Sequence, residues 1–452
     1  MDLLIKIGQL VLSLSILIVL HEFGHFLPAR LFGTRVEKFY LFFDPYFSLF
    51  KKKIGETEYG IGWLPLGGYV KISGMIDESF DKEQLEQEPQ PWEFRSKPAW
   101  QRLVIMLGGV TVNFILGFLL FAMTLFVWGE QYFPNENVTA GIYADSLGQE
   151  MGLRTGDKLL FIGDQKVERF NDRILLRDVA INNARSVTVN RDGAEQKIEI
   201  DKKWADILTR RENKRARIFT ARIPFTVAEV VKDSPAKKAG LATFDNVVSV
   251  NGVPTPYYDL FAEAVRGRNS ETIELGITTK DDKTVRQVSV TTTEEGKIGV
   301  LAAPADYFYD TETIEYGFVE SFPAGFQRGA QFVSDQLNAF GAIFRGDIAF
   351  KESIGGFGSI AGMFGTTWIW ERFWLMTASL SLILAIMNLL PIPALDGGHV
   401  VFLLYEVITG NKPSDAFMEK ATMVGFVLVL ALIITANGLD FWYWFKGLLG
   451  GG

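Results

Sequence analysis

The sequence predicts a multi-pass α-helical membrane protein. It has four transmembrane helices, two related α+β modules between the second and third, and a small membrane-associated β-hairpin or loop after the first. Three observations carry this prediction. Hydrophobic residues make up 48% of the 452 residues although 22% are charged, and mean hydropathy is +0.15. Four segments, 3–27, 103–129, 373–395 and 421–439, approach the roughly 20 apolar residues that cross the hydrocarbon. Residues 130–305 lack such runs and repeat at a spacing of 88 residues.

Composition excludes several classes. A net charge of −8 gives no support to nucleic-acid binding. The absence of cysteine removes disulfides and thiolate zinc ligands, leaving histidine and carboxylate. The first span is not read as a cleavable signal peptide, because no small-residue cleavage site follows it.

The first span ends in His21-Glu22-Phe23-Gly24-His25, and the run from Ile7 is uncharged until Glu22. Histidines at i and i+4 share a helix face and can grip one zinc ion, with the intervening glutamate acting on water. Ionisable groups are costly in a membrane span and usually functional. The third of the three histidines is His399. Lys and Arg cluster between spans one and two (Arg30, Arg35, Lys38, Arg95, Lys97, Arg102), whereas the chain after span two has none until Arg154. This bias puts the first loop in the cytoplasm and both termini and residues 130–372 outside. Spans one and three then run in the same direction and end at similar depth.

Residues 59–75 alternate apolar residues with glycines, the pattern of a hairpin or looped sheet; a loop dipping toward the histidines and a plain cytoplasmic hairpin are equal readings of it. The acidic stretch 77–91 reads as a solvated loop, and 94–102 as an interfacial lead-in to span two. Span two carries Gly109-x-x-x-Asn113-x-x-x-Gly117 on one helix face, for which spacing alone favours helix packing. Span three runs into Asn388-Leu-Leu-Pro391-Ile-Pro393-Ala-Leu395-Asp396-Gly397-Gly398. Its prolines and glycines break or loosen the helix, and broken membrane helices line sites. Asp396 lacks a nearby basic residue in sequence, so a metal is a natural partner.

In the soluble segment, Ser146 to Asp157 corresponds to Ser234 to Asp245, each followed by an apolar strand and a turn, Gly163-Asp164 and Asn251-Gly252. The second copy, Ser-Pro-Ala-Lys-Lys-Ala-Gly-Leu, resembles a PDZ domain, a peptide-capturing module. The expected domains are 1–129 for the first membrane part, 130–220 and 221–305 for the PDZ-like pair, 306–372 for a connector and 373–452 for the second membrane part. The connector is amphipathic from Tyr316 to Phe344, and the glycine-rich 355–365 reads as a loop.

Together these motifs make the chain resemble the site-2 proteases, intramembrane zinc metalloproteases, over essentially its whole length. The arrangement is similar to the bacterial regulator-of-sigma-E protease branch, with two PDZ domains between spans two and three. The resemblance rests on H-E-F-G-H at 21–25, Pro65-Leu66-Gly67-Gly68-Tyr69, the Gly109/Asn113/Gly117 face and the Asn388-to-Gly398 motif. It implies Zn2+ held by His21, His25 and Asp396, with Glu22 as the acid/base. It also implies substrate contact at Asn388 and a bordering Gly67-Gly68 loop; Asn113 joins them as a further substrate-binding candidate. The implied partners are the lipid bilayer, single-span membrane substrates trimmed beforehand by another protease, and a peptide C-terminus at the PDZ-like modules. The implied site is a bacterial inner membrane, with the modules on the external side and the chemistry near the cytoplasmic side. Leu147-Gly148, where the second copy has Pro235-Ala236, departs from the PDZ pattern. A catalytically silent scaffold and a zinc-handling membrane protein are the rival classes. The intact Glu22 weighs against the first and the module pair against the second.

Overall fold

Helix α1 (Asp2–Leu31) opens a computed structural model that describes residues 2–65, 67–75, 88–210, 212–213, 217–279 and 282–449. The expected acidic loop lies outside the described residues as far as 87, and so does Leu66. The chain divides into two compact units. One comprises Met1–Gly129, Glu315–Leu337 and Ile354–Gly452; the other comprises Glu130–Ile314 and Asn338–Ser353.

In the first unit α1 is followed by strands β1 (Val36–Leu41), β2 (Phe43–Ile54), β3 (Thr57–Leu64) and β4 (Tyr69–Ile72), then by α2 (Ala99–Trp128). After the β-rich unit come α3 (Phe318–Phe344), α4 (Phe357–Phe364), α5 (Trp370–Asn388), α6 (Asp396–Thr409) and α7 (Asp415–Leu449). Among the described residues, four helices are long and apolar enough to cross a membrane: α1, α2, α5 and residues Ala416–Lys446 of α7. A continuous helix suits them because every interior backbone group finds its partner within the segment.

The helices are held by close approach and a few internal polar contacts. A Cβ on Gly24 would stand 2.4 Å from the Gly108 carbonyl oxygen, so α1 and α2 cross backbone to backbone. Leu120 and Phe121 of α2 pack on Ala378 and Leu382 of α5, and Gly117 leaves room for Leu382. Thr377 donates to Ser13 at 2.9 Å, and Ser381 donates to the Asn113 carbonyl at 2.7 Å. Ala29, Val36, Ile72, Ile105, Met106, Val400 and Leu403 form one core that joins α1, β1, β4, α2 and α6.

Three sequence expectations change here. Span three ends at Asn388 rather than Leu395; the break expected at the prolines is present, and Asp396 opens a separate helix, α6. Pro391 and Pro393 explain the break, since proline cannot donate to a helix ladder. Residues 355–365 are not a loop: α4 occupies Phe357–Phe364. Its first amides are capped from far away in sequence. Asn437 accepts from the Phe357 N–H at 3.1 Å and Asp440 from the Ser359 N–H at 2.7 Å, a device invisible in the local pattern. Strands β3 and β4 are not a hairpin either. The sheet order is β2-β3-β1-β4, with β1 parallel to β3 and antiparallel to β4. The hairpin is β2–β3, closed at Ile54 and Thr57.

The β-rich unit holds two cores. Ile142 to Phe219 build one and Phe225 to Ile298 the other. Each has a four-stranded antiparallel sheet, with central strands Ser186–Arg191 and Lys158–Ile162 in the first and Asn246–Val250 and Thr272–Thr278 in the second. The repeat has a physical content. Asp157 and Asp245 are both buried, and each accepts the amide three residues earlier, of Arg154 and Ala242, at 2.8 and 2.9 Å. Each then pairs with an arginine, Arg191 at 2.7 Å and Arg286 at 2.5 Å. Gly152 and Gly240, five residues before them, both have positive φ, which favours glycine.

Candidate metal centre

The site forms where four helices meet, α1, α2, α5 and α6. The last turns of α1 carry His21 and His25 on one face, with Glu22 next to His21. His21 Nε2 and His25 Nε2 are 3.3 Å apart, and each is 3.3 Å from Asp396 Oδ2. Asp396 sits in the first turn of α6, where the positive end of the helix dipole favours a carboxylate. These three donors are the metal-capable cluster of histidine and carboxylate groups among the described residues.

The triangle can be tested against zinc. Ligands about 2.0–2.1 Å from a tetrahedral ion stand about 3.3–3.4 Å apart. The observed edges match that spacing. Asp396 Oδ2 is buried and makes no hydrogen bond, as expected of an atom kept for an ion. The space is also reserved by glycine: a Cβ on Gly109 would lie 2.4 Å from His25 Nε2 and 2.6 Å from His21 Cε1. The residues therefore fit zinc.

The surroundings orient the rings. His25 Nδ1 is 2.8 Å from the Ile105 carbonyl oxygen. A carbonyl only accepts, so Nδ1 carries the proton and Nε2 keeps its lone pair for a metal. Asn113 Nδ2 lies 3.1 Å from His21 Nδ1, while its Oδ1 is buried without a partner. In the metal-binding tautomer His21 Nδ1 carries hydrogen, and the amide oxygen is the end that must face it. Asn388, the last residue of α5, places Nδ2 3.3 Å from His21 Nε2.

Glu22 points to the sheet. Its carboxylate accepts from the Val70 amide of β4, and a Cβ on Gly68 would lie 2.5 Å from Ile18 and 3.5 Å from Glu22. Gly67 instead packs under the Phe43 ring, away from the donors. His399 is not among the donors. It is buried within α6 and lines a small pocket with Arg102, Phe94 and Glu406. The glycines before it are not loose: a Cβ on Gly397 or Gly398 would come within 2.4 Å of the backbone of the 389–393 turn. They let that turn pack tightly on α6.

Sequence reasoning missed Val70, Ile105, Gly24 and Gly108. Ile105 and Val70 act through backbone atoms and leave no residue-type signal. The Gly108-Gly109 pair does leave one, as a small-residue step in an otherwise bulky span.

The family model for peptidase family M50 matches residues 9–432, and the chain belongs to that family. It is a membrane zinc metalloprotease. Among its relatives is the regulator of sigma E protease of Haemophilus influenzae, 26% identical over 98% of this chain and 99% of that one. The regulator of sigma-E protease RseP of Escherichia coli is 28% identical over 96% of this chain and 98% of its own. A Rickettsia conorii protein named as a zinc metalloprotease is 28% identical over 97% and 98%.

Proposed function

We propose that this protease cuts the transmembrane segment of single-span membrane proteins already trimmed by another protease, in regulated intramembrane proteolysis. The observation that carries the reading is the triangle of His21, His25 and Asp396 inside the helix packing, with Glu22 beside it. The names of relatives called regulators of sigma E support an anti-sigma factor as one such substrate.

His21, His25 and Asp396 would hold the zinc. When bound, zinc supplies Lewis acidity to a water molecule and to the scissile carbonyl. Glu22 takes the proton from that water and passes it to the leaving amine. A helical substrate hides its carbonyls in i to i−4 bonds and must unwind first. Strand β4 ends the sheet and offers its outer edge beside Glu22, which suits pairing with the unwound strand. Asn388 then answers a freed backbone group, and Gly68 lets the substrate backbone come close.

The bias of Lys and Arg supports a triangle near the cytoplasmic face of a bacterial inner membrane and a β-rich unit outside. The two modules of that unit are read as PDZ-like filters that exclude bulky external domains or hold a newly exposed C-terminus. Within the β-rich unit Glu130–Pro134 pairs with Glu312–Ile314, and residues 136–305 lie between these strands in the chain and can be excised. The excised variant should cleave an untrimmed substrate that the parent rejects; continued rejection by a folded, zinc-loaded variant removes the filter.

Glu22→Gln tests the chemistry. Cleavage of a membrane substrate should fall by about 10²–10⁴-fold, while zinc measured on the same purified protein stays at the parent level. Near-parent cleavage by this variant ends the assignment.

A further inference from the structure

The β2–β3 hairpin is sorted along its strands rather than across its faces. At the turn end one rung of the sheet is charged in every strand: Lys53 and Glu58 are paired, Glu58 faces Lys38, and Lys38 faces Lys71. Glu56 of the turn lies 3.7 Å from Arg30 and 3.8 Å from Arg35, which fixes this end at the C-terminal end of α1. Away from the turn, β2 and β3 become apolar and stay exposed: Phe47, Leu49, Phe50 and Trp63 are all uncovered. Phe47 stacks on Trp63, whose indole N–H is satisfied by the Pro45 carbonyl at 2.9 Å. One acid lies in this apolar part, Asp44, and it is held by the hydroxyls of Ser48 and Tyr69 at 3.0 and 2.8 Å.

Between the two zones lies Lys51-Lys52-Lys53. All three are exposed, and none forms an ion pair with a described side chain. In the register Lys51 faces Gly60 and Lys52 faces Tyr59, so neither meets an acid, and Lys53 faces Glu58 without forming an ion pair; the run is open to an anionic partner from outside the chain. Strand β2 is also the free edge of the sheet, and its unpaired backbone N–H groups need acceptors at a membrane boundary. An apolar stretch followed by lysines, beside the end of a membrane-crossing helix, is the order of acyl chain and headgroup.

We propose that Lys51, Lys52 and Lys53 bind the phosphates of anionic phospholipids in the headgroup layer at the C-terminal end of α1, with Phe47, Leu49 and Phe50 facing the acyl chains. The inference rests on the bilayer placement of the protease. It gives the lipid a role, because the opposite edge of the same sheet carries the Val70 amide that meets Glu22. Lipid held at β2 sets how β4 lies against the site.

The test uses the full chain in nanodiscs of phosphatidylcholine alone or mixed with phosphatidylglycerol. Two quantities are read: phosphatidylglycerol retained per protein by native mass spectrometry, and substrate cleavage. The K51Q/K52Q/K53Q variant should hold phosphatidylglycerol on the order of 100-fold more weakly than the parent, about fivefold per lysine. The parent should cleave faster in phosphatidylglycerol than in phosphatidylcholine, and the variant should lose that ratio while keeping its zinc. A K237Q/K238Q control, in exposed lysines of the second β-rich module, should match the parent. Equal lipid retention by parent and triple variant overturns the proposal and leaves an acidic protein partner for these lysines. Failure of cleavage in every lipid, with lipid retention behaving as expected, instead counts against the proteolytic reading alone.

Discussion

Two kinds of carboxylate with a buried oxygen divide this molecule. In the β-rich unit Asp157 and Asp245 are each matched by an arginine and by a backbone amide of their own turn. Every strong acceptor has a donor, and the charge is answered within the chain. In the membrane unit Asp396 faces two imidazoles, and its Oδ2 accepts no hydrogen bond. Neutral histidines that give their lone pairs to a metal cannot compensate that carboxylate. The comparison teaches how to separate a structural acid from a functional one. An oxygen shut off from water is common to both; the difference is whether the surrounding side chains complete the charge balance without an ion.

The comparison breaks most easily at its functional end. Asp396→Asn should lower zinc content and reduce cleavage on the order of 100-fold, because an amide is a poorer ligand than a carboxylate for a dication. The fold should persist, since no arginine is left unpaired. Metal analysis and circular dichroism on one preparation read both. Full zinc with full activity would place the third ligand elsewhere.

Asp157→Asn should do the reverse. Arg191 is largely buried and would lose its charge partner, at a cost of about 3 kcal/mol. The first module should unfold earlier in a protease-susceptibility or melting assay, with zinc content unchanged. Asp245→Asn should cost less, because Arg286 is 45% exposed and water can take over. Equal losses from the two substitutions would mean that arginine burial does not set the size of the effect.

Legibility in the sequence followed the same division. His21, Glu22 and His25 were readable because one helix turn brings them together at fixed spacing. Asp396 was readable as a charge that ends an apolar run without a local partner. The four spans were readable because hydrocarbon imposes one period and one length. The architecture around β1 was not. Val36–Leu41 lies between β3 and β4 in the sheet although it precedes both in the chain, and its order depends on long-range pairing. Helix α4 was hidden for a related reason: its caps, Asn437 and Asp440, are about 80 residues downstream. The 88-residue repeat was visible as letters, but the arginines that give it meaning, Arg191 and Arg286, do not keep that spacing.

The smallest expected effect belongs to His399, and it sharpens the comparison most. Sequence makes His399 a rival for Asp396, three residues further along the same helix. Its imidazole is a better zinc ligand on paper than many carboxylates. The structure sets it apart on two grounds: its nitrogens are not within the donor triangle, and its ring lines the pocket beside Arg102 and Glu406. Arg102 and Glu406 are themselves paired, tying the start of α2 to the second half of α6. His399→Ala should therefore leave a small cavity against that tie, loosen α6 slightly and lower cleavage by less than about 10-fold, with zinc at the parent level. The useful measurement is the ratio of zinc lost to activity lost, set beside the same ratio for Asp396→Asn. A ligand loses both together, whereas a packing residue loses activity alone through the position of Asp396. Parallel loss of zinc in the two variants would make His399 a ligand, and an incomplete charge balance would then no longer be enough to pick the functional acid from the structural ones.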